Sequence, residues 1–551
     1  MRVVGVHQNI RQGEAVGGDY AITGTLPTLD DVIAFKEGTA EFDHGYYRFV
    51  SHPRLRRLED ALKSRFGCRH CKLTESLETA LLELILCLRK PGSQTRIVIM
   101  QREGAAALFS DESFLPACDR DGISVLAGDL ESAQGATVVA VVRSEGGELP
   151  ALPAWAKGAR YFVLGLGDAH GCVQGGAVLG NADRVMDKLA QQVKRRGAIL
   201  SSRAADRILD GGRSSIDLAP IDRVTESLCR LEGGSDAFLY SSGMSAITRV
   251  LDLVRRPGKS QIVAVGHLYN DTFQTLRLGP NLFLGVDELD ALDALVTDQT
   301  AAILTETITN PLSDVPDLEI LSRIAHVHGV PLIVDNTIAT PANCHPFEYG
   351  ADYVIHSTTK FLNGRNDHGG GAVVVRDSRL AQPLAHYQAL LHDQMSPLEA
   401  AALEGNLGSF PERMDRFNEN AGKAALFLAA HSGVERVYFN GLPTHRSHAT
   451  ARRLLRGPGS VISFTLLSNT WEGLRAFYDS PLSGINKAPS LGSDVTLLCP
   501  YTLLTHYDDT DEELAEIGLP RFLLRVAVGC EKDITPVLES LDAALHRSPL
   551  P

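Results

Sequence analysis

The residues with the densest chemical content lie in one block, TETITNPLSDVPDLEILSRIAHVHGVPLIVDNTIATP followed by YGADYVIHSTTKFLNGRNDHGGGAVVV. It ends an apolar strand, PLIVD, on Asp335, and 25 residues later places Lys360 after a second strand, YVIH, within Ser-Thr-Thr-Lys. A strand-end carboxylate can hold a cation, and a lysine amine whose pKa burial lowers can act as a nucleophile or base. Ser357 and Thr359 offer hydroxyl donors beside the lysine, and Ser242-Gly243-Met244 stands before a helical pattern whose free N–H groups suit an anion. By contrast, Cys68 and Cys71 form a lone CxxC around His70 with no second ligand pair nearby, which predicts ordinary cysteines rather than a metal site.

The elements that must hold these residues alternate along the chain. Apolar runs IVIM, TVVAVV and YFVLGLG, then QIVAVG, AAILTE, PLIVD and YVIH, are mostly followed by helix-length segments, which predicts α/β structure with a mainly parallel sheet. The last ~175 residues, with AGKAALFLAAH and the strands SVISFTLL and FLLRVAVG, read as a separate α+β unit.

The chain also resembles itself. Residues 57–100 align without a gap to 223–266 at an offset of 166, with nine identities in 44 pairs, among them Gly67/Gly233, Ser76/Ser242 and Pro91-Gly92/Pro257-Gly258. Further on, ARYFVLGLGD lies over ADYVIHSTTK, and GGAV at 175–178 over GGAV at 370–373. These matches in one order predict an ancient duplication. The first copy has Leu77 and Glu78 where the second has Gly243 and Met244, and Asp168 where the second has Lys360.

Composition bounds the function. The chain has 551 residues, 44% hydrophobic and 22% charged, so three or four globular units are expected at ~100–200 residues each. With 53 basic against 67 acidic residues the net charge is −14, which gives nucleic acid no general attraction. No apolar run approaches the ~20 residues that span a bilayer, and the first residues lack the apolar core of a secretory signal, so a cytoplasmic enzyme without membrane contact is expected. Nine cysteines without framework spacing suit reduced thiols.

From about residue 196 to 546 the motifs resemble the Cys/Met-metabolism family of pyridoxal-phosphate (PLP) enzymes, which includes cystathionine synthases and lyases and methionine γ-lyase. The resemblance implies a fold type I, aminotransferase-like large domain. It implies that Lys360 forms a Schiff base with the cofactor aldehyde and that Asp335 pairs with the pyridinium nitrogen. Ser242, Gly243, Met244, Ser357 and Thr359 would hold the phosphate, and Tyr269 in HLYNDTFQTL would stack on the ring and shuttle the substrate proton. Arg525 in FLLRVAVG, with Ser490 in PSLG and Asn310 in TNPL, would bind the amino acid's α-carboxylate. The stretch KAPSLGSDVTLLCPYTLLTH departs from the family pattern, with Cys499 in place of a His and Leu504 in place of a Met.

A second departure concerns the Tyr-x-Arg arm that in relatives reaches a neighbouring subunit's phosphate. It is missing ahead of RVTESLCRLEGG, whereas the first copy carries Tyr46 and Arg48 in HGYYRFVSHP, a stretch similar to the extended N-termini of fungal-type cystathionine γ-synthases. The expected organisation is an N-terminal segment (1–40), a degenerate large-domain copy (41–195), a PLP-binding large domain (196–376) and a C-terminal small domain (377–551). The degenerate copy is expected to serve as an internal partner, a pseudo-dimer within one chain that can still form homo-oligomers. The implied activity is γ-replacement on an activated homoserine ester with a thiol such as cysteine; the alternatives are γ- or β-elimination by the same apparatus and, third, a cofactor-free pseudoenzyme or regulatory partner.

Overall fold

The computed structural model describes residues 26, 28–37, 52–89, 95–100, 123–127, 136–143, 149–150, 152, 156–167, 173–212 and 215–548. Three sheets organise them. The first runs His70–Thr74, Gln174–Gly180, Tyr161–Gly167, Thr137–Arg143, Thr95–Met100, Ile123–Ala127. The second runs Asp236–Tyr240, Gly371–Val375, Tyr353–His356, Leu332–Asp335, Thr300–Glu306, Gln261–Val265, Leu282–Leu284. In each, the second strand alone runs against the others, so both are mainly parallel. Among the described residues, the first order equals the second with the Asp335 strand left out.

The local elements agree to the residue. Helices Pro53–Phe66 and Ala219–Glu232 stand at the offset of 166, each with Pro in its first turn and each ended by a glycine in the left-handed region, Gly67 at φ 63° and Gly233 at φ 77°. Their inward faces match too, with Leu58 and Leu62 buried in one, Val224 and Leu228 in the other. Each such side chain contributes ~1.5–3 kcal/mol of burial. Helices Leu77–Leu88 and Gly243–Val254 share the same offset and the same cap, Ser76 accepting from Thr79 N and Ser242 from Ser245 N. A Cβ added to Gly176 or to Gly371 would strike the carbonyl of Ser76 or Ser242 respectively, so each strand passes its serine cap at a distance only glycine permits.

Two further helices of equal length, Asp183–Arg196 and Ser378–Leu391, end at left-handed residues Gly197 and His392. They dock reciprocally: Ser242 Oγ donates to Gly197 O at 2.8 Å, and Ser76 Oγ donates to Leu391 O. Tyr387 and Leu391 accordingly belong to the core under the first sheet, which also extends to Ile208. The contact between the sheets buries complementary charge. Arg249 pairs with Glu75 (3.1 Å) and Asp393, while Arg196 pairs with Glu83 (2.7 Å) and Asp252. Such pairs offset the desolvation of each ion only while both partners remain.

The third sheet, Val434–Tyr438, Val461–Leu466, Leu524–Ala527, Thr496–Pro500 and Ile485–Lys487, carries the helices of the C-terminal unit, including Phe410–Ala430 and Thr535–Leu545. Among the described residues no helix is long and apolar enough to cross a membrane.

Candidate active site

One cavity opens at the carboxyl ends of the parallel strands in the second sheet, where ligands of open α/β sheets bind. Strand Leu332–Asp335 delivers Asp335 to its wall; burial raises the carboxyl above the usual carboxylate range, and Thr337 N donates to Oδ1 at 3.0 Å. Strand Tyr353–His356 leads into the turn that brings Ser357, Thr359 and Lys360 to the same wall. The Lys360 amine donates to Ser490 Oγ at 2.9 Å, and burial together with the Arg525 cation lowers its pKa to about 7. Above that pH it is a free base. Gly492, at φ 74°, lets the Ser490 loop lie against the Lys360 and Phe361 backbone.

The opposite wall is the N-terminus of helix Gly243–Val254. The Ser242 hydroxyl is engaged on both sides, accepting from Ser245 N at 2.9 Å and donating to Gly197 O. The Gly243 and Met244 N–H groups therefore remain at the open helix end for an anion. A Cβ on Gly243 would meet Ser357 Cβ at 2.8 Å, so the cradle is closed to any larger residue. Thr359 Oγ1 accepts from Gly370 N at 3.1 Å.

Tyr269 caps helix Asn270–Arg277; its N–H donates to Glu306, and its hydroxyl donates to Asp271 Oδ2 at 3.1 Å. Arg525 comes from the C-terminal sheet, 4% exposed, with its ring of partners Asn310 Oδ1 (3.0 Å), Ser490 O (3.0 Å) and Pro489 O. Its guanidinium lies 5.1 Å from the Tyr501 ring centroid, and Cys499 stands opposite it in the strand register. Its Nε is buried without a partner among the described residues, an orphaned donor of the kind a ligand carboxylate would satisfy.

Lys360, Asp335, Tyr269, Ser242, Gly243 and Met244 thus line one cavity together with Ser357, Thr359, Asn310 and Arg525, and Ser490 touches the lysine. Tyr46 and Arg48, expected at the phosphate, and Asp168 lie outside the described residues. Several wall residues escaped sequence reading. Glu306 and Thr337 flank motifs that were recognised, and Asp271 sits two residues from Tyr269; Lys194, Gly197 and Ile199, at and after the end of helix Asp183–Arg196, carried no signal. Helix N-terminus, buried amine and buried carboxylate in one cavity fit a phosphorylated aldehyde cofactor with a basic ring nitrogen.

The profile of the family described as Cys/Met metabolism PLP-dependent enzyme matches residues 219–546. The chain is 35% identical over 331 residues to the cystathionine gamma-synthase of Mycobacterium leprae, covering 58% of this chain and 82% of that protein. It is 34% identical over 322 residues to the cystathionine gamma-lyase of Bacillus subtilis, covering 57% and 83%. Among solved structures, that of cystathionine gamma synthase from Xanthomonas oryzae pv. oryzae in complex with cystathionine matches at 35% identity and a TM-score of 0.56, over 60% of this chain and 86% of the other.

Proposed function

Because the chain belongs to the Cys/Met-metabolism PLP-dependent enzymes, we propose that it catalyses γ-replacement, in which an activated homoserine ester and a thiol such as cysteine give a thioether amino acid and the free acid of the ester. The observation that carries this reading is the joint presence in one cavity of the buried Lys360 amine and of Arg525, whose Nε has no partner among the described residues, in a chain similar to cystathionine gamma-synthases. Bound there, pyridoxal phosphate supplies a conjugated ring that delocalises charge from the substrate's α-carbon. Lys360 holds the cofactor aldehyde and, once released by the substrate amine, takes the α-proton. Burial raises the Asp335 carboxyl pKa and a cation beside it favours the ionised form, which suits the ring nitrogen. Arg525 with Asn310 and Ser490 grips the α-carboxylate, and Tyr269, its hydroxyl held by Asp271, moves the substrate proton. Incubation with O-acetyl-, O-succinyl- and O-phosphohomoserine, with and without cysteine, tests the reading by product mass. A thioether is expected; a 2-oxo acid and ammonia with cysteine present would favour elimination.

The first unit (41–195) is, in this reading, a degenerate copy of the large domain (196–376), followed by a small domain (377–551), and it takes the place of a partner subunit. The shared helix bounds, the common strand order and the reciprocal docking of Gly197 and Leu391 on the two serine caps support it. Seven described cysteines, all free thiols, suit a reducing, cytoplasmic setting.

A further inference from the structure

The wall of the cofactor cavity contributed by the first unit is cationic. Helix Asp183–Arg196 ends in Lys194, Arg195 and Arg196. Arg196 is locked between Glu83 and Asp252, whereas Lys194 lines the cavity together with Gly197, Ser242, Gly243, Ser357 and Thr359. Gly197 is pressed onto the phosphate turn: its carbonyl accepts from the Ser241 and Ser242 hydroxyls, and a Cβ there would meet Ser245 N at 2.6 Å. Lys194 stands in the last helical turn before it, its carbonyl accepts from Gly197 N at 3.2 Å, and both residues line the cavity. Lys194 is exposed where it lines the cavity, and among the described residues no acidic side chain pairs with it. The live unit offers the phosphate hydroxyls and helix N–H groups, but the described cations of its own, Lys360 and Arg525, are committed to Ser490 and to Asn310, Pro489 and Ser490.

We propose that Lys194 of the first unit is the cation that holds the cofactor phosphate in the same chain's active site. A lysine ammonium on its flexible stem is a point-charge phosphate ligand, and a dianion at the start of helix Gly243–Val254 is left partly unneutralised by N–H groups alone. The assignment rests on the internal-partner reading above: the unit that has lost its own phosphate turn supplies a charge to the unit that kept it.

The test is reconstitution of the apo-protein with pyridoxal phosphate and, in parallel, with pyridoxal, followed by absorbance. Lys194→Ala is expected to weaken pyridoxal phosphate about tenfold and leave pyridoxal unchanged, with Lys194→Arg recovering most of the loss. Equal loss for both compounds, or loss for neither, overturns the contact. Mixing Lys194→Ala chains with Lys360→Ala chains separates the two ideas. If the contact is made within one chain, mixing restores no tight binding; restored binding would keep the Lys194–phosphate contact, assign it to a neighbouring chain and overturn its placement in the same chain.

Discussion

The two mainly parallel sheets share a frame and differ in what they can hold. Where the second unit has Ser241, Ser242, Gly243 and Met244 at its helix start, the first has Glu75, Ser76, Leu77 and Glu78, with the same cap geometry. The Glu75 carboxyl accepts from the hydroxyls of Ser241 and Ser245 and pairs with Arg249, so this position of the first unit is committed to the contact with the second. The strand that presents Asp335 has no counterpart among the described residues of the first sheet. The difference teaches that the same backbone frame and packing stand with or without these side chains, because caps and cores are specified separately from the groups that line the cavity.

The contact between the units adds a second lesson. Glu83 and Arg249 occupy corresponding positions with opposite sign. The pairs that cross the contact are Arg249 with Glu75 and Arg196, at the end of the helix after the first sheet, with Asp252, whereas Glu83 pairs with Arg196 on its own side. A second unit set against its like would offer Arg249 a Ser241 in place of Glu75, and a first unit set against its like would offer Arg196 a Leu86 in place of Asp252. Charge complementarity therefore selects unlike halves.

The largest expected effect comes from removing the group that most separates the units: Lys360→Ala should abolish turnover and the visible absorbance of the bound cofactor, read on the purified protein. Arg249→Met should follow, since it strands Glu75 and Asp393 as buried acids; a loss of about 3–5 kcal/mol is expected in denaturant unfolding. Asp335→Ala should lower the rate through loss of a charge-assisted bond of roughly 1.5–3 kcal/mol, about 10- to 150-fold in turnover, with the phosphate site intact. Arg525→Ala should raise KM for the amino acid by about tenfold or more while cofactor affinity holds, checked by steady-state kinetics beside apo-protein titration. The smallest effect is one of pH. The Lys360 pKa is lowered to about 7, so its reactive free-base fraction rises as pH rises through 7 and levels off above it. Attachment of the cofactor to apo-protein should show that profile in stopped-flow absorbance, with a flat dependence from pH 6 to 9 counting against it.

Much of this was legible in the chain. Asp335 closing PLIVD, Lys360 after YVIH, and Arg525 inside an alternating strand are local patterns, and strand ends are where α/β sheets place ligands. The offset of 166 anticipated the paired helices because caps and glycine stops, such as Gly67 and Gly233, are written residue by residue. The destination of Lys194 and Gly197 was not legible. They lie at the end of helix Asp183–Arg196 in a stretch without a motif, and the approach of Gly197 to Ser242 spans 45 residues of chain. Nor did Glu75 announce that it would lie against Ser241, 166 residues away. Sequence alone determined which residues could do the chemistry and which elements would carry them, since both depend on local periodicity, caps and residue type. Tertiary structure alone decided that the end of helix Asp183–Arg196 and the turn after it line the cavity of the second sheet, because that contact depends on how two surfaces match in shape and charge, and no local stretch of sequence contains both.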